Sequence, residues 1–213
     1  MDKGTVLVTG GTKRIGAAIA ERLRNAGWRV LTSSHRGDAQ ADFVADFTDA
    51  SGAVKLYSDV LKAAPDLCAI VNNAALFNGD DDVLRAVNLT APQKLTMLLA
   101  GREGVQCAVV NILDSQTLDE NPSENDTVYR RTKRELLAYT RKSACLFAGT
   151  LRVNAVAPGA VLPPEGCHEK AGESLLDRRP SPEDVADAVL YLLGAKSVTG
   201  TVIPVDAGQH LIF

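Results

Sequence analysis

The stretch of sequence that decides the fold is TGGTKRIG at residues 9–16. It follows the apolar run Thr5–Val8 and precedes an amphipathic stretch, so it predicts a turn that joins a β-strand to an α-helix. Gly10 permits a tight turn, and Gly16 permits close packing of the helix against the strand. Because backbone N–H groups at the start of such a helix point at an anion, the stretch predicts a site for the pyrophosphate of a dinucleotide. A plain structural turn is the alternative. A P-loop is not predicted, because Ala17 stands where that motif requires Lys.

The rest of the chain alternates short β-rich runs with helical patterns. This rhythm predicts one α/β domain over residues 1–213, a Rossmann fold in which helices flank both faces of a doubly wound parallel sheet. The predicted strands, mostly continuous apolar runs, are Thr5–Thr9, Arg29–Ser33, Asp42–Val44, Ala69–Asn72, Gln106–Ile112, Arg152–Ala157 and Val202–Val205. The predicted helices are Ile15–Ala26, Ala50–Leu61, Val83–Leu99, Val128–Phe147 and Pro182–Leu193, the last with a capping box between Ser181 and Asp184.

Composition excludes several classes of function. The chain has 213 residues and a net charge of −3 without a long basic run, so neither nucleic acid nor an anionic membrane is a predicted partner. No segment approaches the roughly 20 apolar residues of a membrane span. The amino terminus leads directly into the first strand, which leaves no room for a signal peptide and favours a cytoplasmic location. The four Cys and three His residues lack metal-ligand spacing, so no metal is predicted.

The residues around the glycine turn and the second strand favour NADPH over NADH. Arg14 takes the position of the middle Gly of a dinucleotide fingerprint, directly after Lys13, and there its side chain crowds the pyrophosphate unless it contacts it. The segment Thr32–Arg36 offers hydroxyl groups, His35 and a guanidinium but no carboxylate. Such groups suit the 2′-phosphate of NADPH better than a bare ribose. The alternative for Arg36 is a solvated surface charge.

Two further segments lie at predicted strand ends. Asp46 and Phe47 follow the third strand and are predicted to meet the adenine. The stretch Asn72–Ala75 ends the fourth strand at the point where the strand order reverses. Its amide side chains are predicted to hold backbone and cofactor together, with a simple turn as the alternative.

A second motif is the pair Tyr129 and Lys133, which lie four residues apart and therefore on one face of a predicted helix. A free phenol has a pKa of about 10, so a neighbouring cation is needed to make it readily ionisable. Such pairs are common on helices, and the spacing alone does not establish a site.

Taken in order, these motifs resemble the short-chain dehydrogenase/reductase family over essentially the whole chain. The matching residues also include Asn88 in VNL, RVNAVAPG at residues 152–159 and VDAG at residues 205–208. The resemblance implies that Tyr129 is the proton donor, that Lys133 assists it and holds the nicotinamide ribose, and that Asn88 anchors a water linking Lys133 to solvent. The predicted cofactor contacts are Gly10, Lys13, Arg14, Ile15, Gly16, Ser34, His35, Arg36, Asp46, Phe47, Asn73, Ala74, Ala75, Tyr129, Lys133, Pro158 and Gly159.

One departure from the family pattern points to the substrate. Where the family usually has Ser after the fifth strand, this chain has Asp114. This is similar to the pteridine reductase branch, whose catalytic set is Asp, Tyr and Lys, and which also carries Lys-Arg in the glycine turn and His-Arg after the second strand. The resemblance implies reduction of a C=N bond in a pterin- or dihydrofolate-like ring, stacked by Phe77. The predicted substrate contacts are Arg14, Phe77, Asp114 and Tyr129.

Three alternatives remain open from the sequence. A carbonyl reductase acting on a 3-oxoacyl, small ketone or quinone substrate requires Ser115 to face the pocket and Asp114 to turn away. A non-catalytic NADP(H)-binding regulator would bind the cofactor without turnover. Phe77 is alternatively an ordinary loop residue.

The remaining expectations concern the periphery of the site. The segment Pro163–Pro180 is irregular, polar and short for a lid over the substrate. The apolar end Leu211–Phe213 is expected to pack on a neighbouring subunit. The resemblance implies a homodimer or homotetramer built through the helices Val83–Leu99 and Val128–Phe147.

Overall fold

The computed structural model describes residues 3–36, 40–119, 126–163 and 174–212. Seven parallel strands form one sheet in the order β3-β2-β1-β4-β5-β6-β7, so the strand order reverses between β1 and β4. The predicted Rossmann fold is therefore confirmed. The strands are β1 Thr5–Thr9, β2 Arg29–Ser34, β3 Phe43–Val44, β4 Leu67–Asn72, β5 Cys107–Ile112, β6 Leu151–Pro158 and β7 Val202–Val205.

The helices agree with the predicted pattern except at one place. They are α1 Arg14–Asn25, α2 Gly52–Ala63, α3 Asp81–Arg85, α4 Ala91–Ala100, α5 Val128–Leu146 and α6 Pro182–Gly194. Two short 3-10 turns, Ser115–Leu118 and Gln209–Leu211, follow β5 and β7. The capping box of α6 is formed, because Ser181 N–H donates to Asp184 Oδ2 at 2.8 Å and Asp184 N–H donates to Ser181 Oγ at 3.1 Å.

The prediction of one continuous helix over Val83–Leu99 is wrong. A π-helical segment, Ala86–Thr90, separates α3 from α4. Pro92 explains the break, since it has no N–H to donate to the carbonyl of Asn88 and its ring crowds that carbonyl. The wider turn, in which Ala91 N–H donates to Ala86 O, accommodates this. Asn88 therefore lies in an irregular turn rather than on a regular helix face.

Apolar side chains alternate between the two faces of the sheet and bury both. On one face Leu7, Ile70 and Val109 pack with Leu95 and Leu99 of α4. On the other face the neighbouring strand residues pack on α1 and α6, through a cluster that includes Val6, Val8, Val110, Ile19 and Val189. Because all strands are parallel, the residues that follow them meet at one edge of the sheet. No helix of the described residues is long and apolar enough to cross a membrane.

Candidate active site

The glycine turn after β1 is held by an amide from the end of β4. Asn73 Nδ2 donates to Thr9 O at 2.9 Å and to Gly10 O at 3.1 Å, as the sequence predicts for an amide at this position. Gly10 has a φ of +62°. A Cβ at Gly16 would lie 2.1 Å from Gly10 O, so only Gly fits there. Ala74 lies beside the turn, and its N–H donates to Thr9 Oγ1 at 3.1 Å.

The start of α1 suits a pyrophosphate. Lys13, exposed to solvent, is the N-cap residue of α1, and its own side chain caps none of the first N–H groups of the helix. Ile15 follows in its first turn, half-buried. The tight glycine cradle and this helix start together fit a dinucleotide phosphate. Arg14 has a φ of +51°, the left-handed conformation expected at a middle-Gly position. Its Nη2 donates to Pro163 O at 2.9 Å, so its side chain links the turn to the segment after β6.

The end of β2 leaves two basic side chains exposed, His35 and Arg36, next to the buried Ser34. Thr32 is occupied elsewhere, because its hydroxyl and N–H both donate to Asp42 Oδ2, at 2.9 and 2.8 Å. These positions fit a 2′-phosphate better than a bare ribose, since no carboxylate lies among residues 32–36.

Asp46 and Phe47 have different surroundings from each other. Asp46 Oδ1 lies 3.6 Å from His35 Nδ1. Hydrogen bonds from the Thr48 hydroxyl and N–H lower the pKa of Asp46. The predicted contact of Phe47 with an adenine ring stays a prediction, but Phe47 is only 8% exposed and belongs to a core cluster that includes Leu56. The sequence did not reveal this, because a single Phe after a strand carries no signal of its burial.

The side chains of Tyr129 and Asp114 contact each other next to the end of β5. The Tyr129 hydroxyl donates to Asp114 Oδ2 at 3.3 Å. Asp114 is held in place as the N-cap of the first 3-10 turn, where its Oδ1 accepts from Gln116 N–H at 2.9 Å. Tyr129 is 8% exposed, and Asp114 is half-buried with access to solvent. The carboxyl group therefore links a buried phenol to the surface.

Lys133 lies one turn further along α5 and is also buried. Its Nζ donates to Ile112 O at 2.8 Å and lies 5.8 Å from the centroid of the Tyr129 ring. Burial lowers the pKa of Lys133 to about 8, although the charge of Asp114 acts in the opposite direction. The pair lies on one face of α5, as its spacing predicts, and that face is directed at the end of β5.

The electrostatics of Tyr129 differ from the expectation that Lys133 makes the phenol readily ionisable. Burial, followed by the charge of Asp114 and its hydrogen bond, raises the pKa of Tyr129 well above its usual value. The reason is geometric, because the phenol oxygen contacts a carboxylate while Lys133 is directed at a backbone carbonyl. In this arrangement Tyr129 keeps its proton.

The Ser115 hydroxyl does not form the hydrogen bond with Tyr129 that the carbonyl reductase alternative requires. It is 1% exposed, and its Oγ has no hydrogen-bond partner among the described residues. Asp114, rather than Ser115, makes the contact with Tyr129.

Phe77 lies on the ring of Tyr129, with the ring centroids 4.1 Å apart and the planes inclined by 30°. Its neighbour Leu76 is fixed by Asn88, whose Oδ1 accepts from Leu76 N–H and whose Nδ2 donates to Leu76 O, both at 2.8 Å. Asn88 thus contacts the segment that carries Phe77. Its predicted role as a water anchor for Lys133 stays a prediction. Ala75 is exposed on the same segment.

The last predicted cofactor residues lie where β6 ends. Pro158 pairs with Val205, and Gly159 N–H donates to Val205 O at 3.0 Å. A Cβ at Gly159 would lie 2.7 Å from Asp206 Cβ, so the packing of this corner leaves no room for a side chain at Gly159. Residues 164–173 of the Pro163–Pro180 segment, and Phe213, lie outside the described residues. Leu211 and Ile212 are exposed.

Comparison with known proteins agrees with this geometry. A family model described as enoyl-(acyl carrier protein) reductase matches residues 10–210. The chain belongs to the short-chain dehydrogenase/reductase family.

Individual relatives are similar over nearly the full length. Dihydromonapterin reductase of Escherichia coli (strain K12) is 29% identical over 235 residues, covering 97% of this chain and 96% of that protein. The crystal structure of FolM alternative dihydrofolate reductase 1 from Brucella canis, complexed with NADP, is 33% identical with a TM-score of 0.83, covering 99% of this chain and 95% of that one. Ligand-free aldohexose dehydrogenase of Thermoplasma acidophilum has a TM-score of 0.84 at 24% identity, covering 100% and 96% of the two chains. This last likeness shows the fold alone.

Proposed function

We propose that this chain is an NADPH-dependent oxidoreductase that reduces a C=N bond in a pterin- or dihydrofolate-like ring. Dihydromonapterin reductase and the NADP complex of FolM alternative dihydrofolate reductase 1 support a pterin-reducing enzyme of this family that uses NADPH. The fold alone does not select the substrate, since an aldohexose dehydrogenase has an equally similar backbone.

The observation that carries the proposal is the hydrogen bond between Tyr129 and Asp114. Reduction of a carbonyl group develops negative charge on oxygen, which a neighbouring carboxylate would destabilise and a neutral hydroxyl would stabilise. A C=N nitrogen is more basic than a carbonyl oxygen and can take its proton before or with the hydride, so less negative charge develops on it and a phenol coupled to a carboxyl group is suited to supply that proton. The burial of the Ser115 hydroxyl, without a partner among the described residues, is a further argument against the carbonyl reductase.

The residues present fit the cofactor. The cradle of Gly10 and Gly16 with the start of α1 would hold the pyrophosphate, and His35 with Arg36 would hold the 2′-phosphate. Lys133 and the corner at Pro158 and Gly159 would border the nicotinamide half. When bound, NADPH supplies a hydride to the ring carbon of the C=N bond.

The proton for the ring nitrogen would come from Tyr129, whose O–H would turn from Asp114 Oδ2 to that nitrogen in the substrate complex. Its raised pKa keeps the phenol protonated at neutral pH, so the proton is available for transfer. The phenolate that forms would recover a proton through Asp114, whose partly exposed carboxyl group reaches water. One proton on nitrogen and one hydride on carbon then balance the conversion of C=N to CH–NH. The cationic form of Lys133 would stabilise the transient phenolate.

The proposal includes a homo-oligomeric assembly. The exposed apolar side chains of Leu211 and Ile212 support the proposal of a homodimer or homotetramer in which this end packs on a second copy. A cytoplasmic location stays a prediction from the sequence.

The proposal is tested with a panel of substrates and purified protein. Consumption of NADPH is followed with dihydrobiopterin, dihydromonapterin and dihydrofolate, beside an acetoacetyl thioester, an enoyl thioester and a simple quinone. Turnover confined to the pteridine compounds is the expected result. Turnover of a thioester or quinone at a higher kcat/KM than every pteridine would overturn the proposal.

A further inference from the structure

The turn after β7 contains a histidine that is held by a buried carboxylate. Asp206 Oδ1 accepts from Gly208 N–H at 3.0 Å, and its Oδ2 accepts from His210 N–H at 2.7 Å. The His210 ring also contacts Oδ2 through Nδ1, at 2.7 Å. Left-handed φ angles at Ala207 and Gly208, +55° and +81°, turn the chain back so that these contacts form. Non-glycine residues in this conformation are uncommon and cluster at functional sites.

These contacts determine which nitrogen of the ring is available. A carboxylate only accepts hydrogen bonds, so Nδ1 must carry the proton that it shares with Asp206. In the neutral ring Nε2 is then an acceptor. The side chain of Asp206 is 2% exposed but that of His210 is 22% exposed, so part of the ring stays accessible.

This histidine lies beside the candidate active site. Asp206 and Gln209 pack against Gly159 at the end of β6, where Gln209 Oε1 accepts from Ala160 N–H at 3.3 Å. The 3-10 turn Gln209–Leu211 packs against the 3-10 turn Ser115–Leu118. Asp114, the hydrogen-bond partner of Tyr129, is the N-cap of that second turn. The turn that carries His210 therefore lies next to the turn that Asp114 caps.

We propose that His210 is a substrate-positioning residue whose Nε2 accepts a hydrogen bond from the N–H edge of the pteridine ring. This inference rests on the proposed function. A pteridine presents an amino group and a ring N–H on the edge remote from its reducible C=N bond. An imidazole whose tautomer is fixed by a carboxylate offers one matching acceptor, and the negative charge of Asp206 disfavours an anionic group there.

The chain supplies a second histidine for contrast. His35 also faces a carboxylate, that of Asp46, but at 3.6 Å and with both side chains exposed. It lies after β2 on the proposed cofactor side, so its substitution is expected to change the KM for NADPH and not that for the pterin.

The test uses two substitutions that distinguish the structural contact of His210 with Asp206 from its proposed contact with the substrate. In His210→Asn the amide nitrogen takes the place of Nδ1 and keeps the bond to Asp206, but the distal acceptor is lost. In His210→Gln the amide reaches the place of Nε2 and restores an acceptor. We expect His210→Asn to raise the KM for a dihydropterin about 3- to 10-fold, which corresponds to the loss of one hydrogen bond, and to leave kcat little changed. In His210→Gln the KM should return part of the way to the wild-type value.

The measurements are the KM and kcat for dihydromonapterin and for a 6-methyl dihydropterin, which has no hydroxylated side chain. The melting temperature and calorimetric binding of oxidised biopterin to the enzyme with NADP are measured in parallel. An equal KM rise for both substrates, with weaker biopterin binding and an unchanged melting temperature, supports the inference.

Several results would overturn it. An effect on dihydromonapterin alone means that His210 contacts the side chain of the substrate and not the ring edge. An unchanged KM in His210→Asn, while the wild type reduces pterins, removes the inference and leaves the proposed function intact. A wild type that reduces no pterin overturns both.

Discussion

The ring of Phe77 covers the ring of Tyr129, with centroids 4.1 Å apart. Phe77 is 68% exposed, whereas Tyr129 is 8% exposed, so Phe77 is the outer member of the stack. The backbone beside it is fixed by the two hydrogen bonds between Asn88 and Leu76. A flat substrate that approaches the phenol therefore meets an aromatic face whose position is set by a buried amide.

Substitution of Phe77 is expected to weaken substrate binding. Phe77→Ala should raise the KM for a dihydropterin about 3- to 10-fold, since an aromatic pair contributes about 0.5–1.5 kcal/mol beyond its buried area. Phe77→Tyr should keep most of the affinity. Steady-state kinetics measure both, and Tyr191→Ala, at an exposed ring of α6, is the control. A KM unchanged in Phe77→Ala would show that Phe77 is an ordinary loop residue.

The charge of Asp114 should control the pH dependence of the reaction. It raises the pKa of both Tyr129 and Lys133, and both groups are proposed to act in their protonated forms. In Asp114→Asn both pKa values should fall, so activity should decline at a lower pH than in the wild type. The profile of kcat/KM against pH measures this, and a basic limb that stays in place or moves to higher pH would contradict the assignment.

The burial of Lys133 should make the free energy of unfolding depend on pH. Its pKa falls from 10.5 to about 8 on folding, which corresponds to about 3 kcal/mol. Between these values the unfolded chain binds a proton that the folded chain has lost, so stability rises with pH in this window.

The variant Lys133→Met isolates this effect. The free energy of unfolding of Lys133→Met relative to wild type should fall by about 3 kcal/mol as the pH rises from 7 to 10.5. Any cost of leaving Ile112 O unpaired is constant over this range and does not affect the slope. Urea unfolding at several pH values provides the measurement, with Lys142→Met on an exposed position of the same helix as the control. A constant difference would contradict the lowered pKa.

The glycine cradle should tolerate no side chain. Gly16→Ala places a Cβ 2.1 Å from Gly10 O and 2.5 Å from Asn73 Nδ2, so the turn must shift. We expect NADPH binding, measured by calorimetry, to weaken more than about 10-fold, which corresponds to a loss of about 1.4 kcal/mol of binding free energy. Gly194→Ala is the matched control, because a Cβ there meets nothing within 4 Å. Unchanged affinity in Gly16→Ala would place the pyrophosphate elsewhere.

Much of this arrangement follows from local sequence signals. Glycines, apolar runs and capping residues act over a few positions, and every strand and helix lies within two residues of its predicted bounds apart from the π-helical break. That break depends on Pro92 together with the distant contact of Asn88 with Leu76, which periodicity does not reveal. The helical spacing of Tyr129 and Lys133 likewise predicts a shared face. It does not predict that Lys133 bonds to Ile112 O, because that partner comes from another strand end.

The role of Asp114 is decided by comparing wild type, Asp114→Ser and Tyr129→Phe on dihydromonapterin and on an acetoacetyl thioester. We predict that both variants lose most of the kcat/KM for the pterin, because one lacks the carboxyl group and the other the phenolic proton. If Asp114→Ser keeps full pterin activity, or gains activity on the thioester at no cost to the pterin, the carboxyl group has no part in the reaction. The proposed proton route through Asp114 would then be wrong, while the activity on pterins would stand.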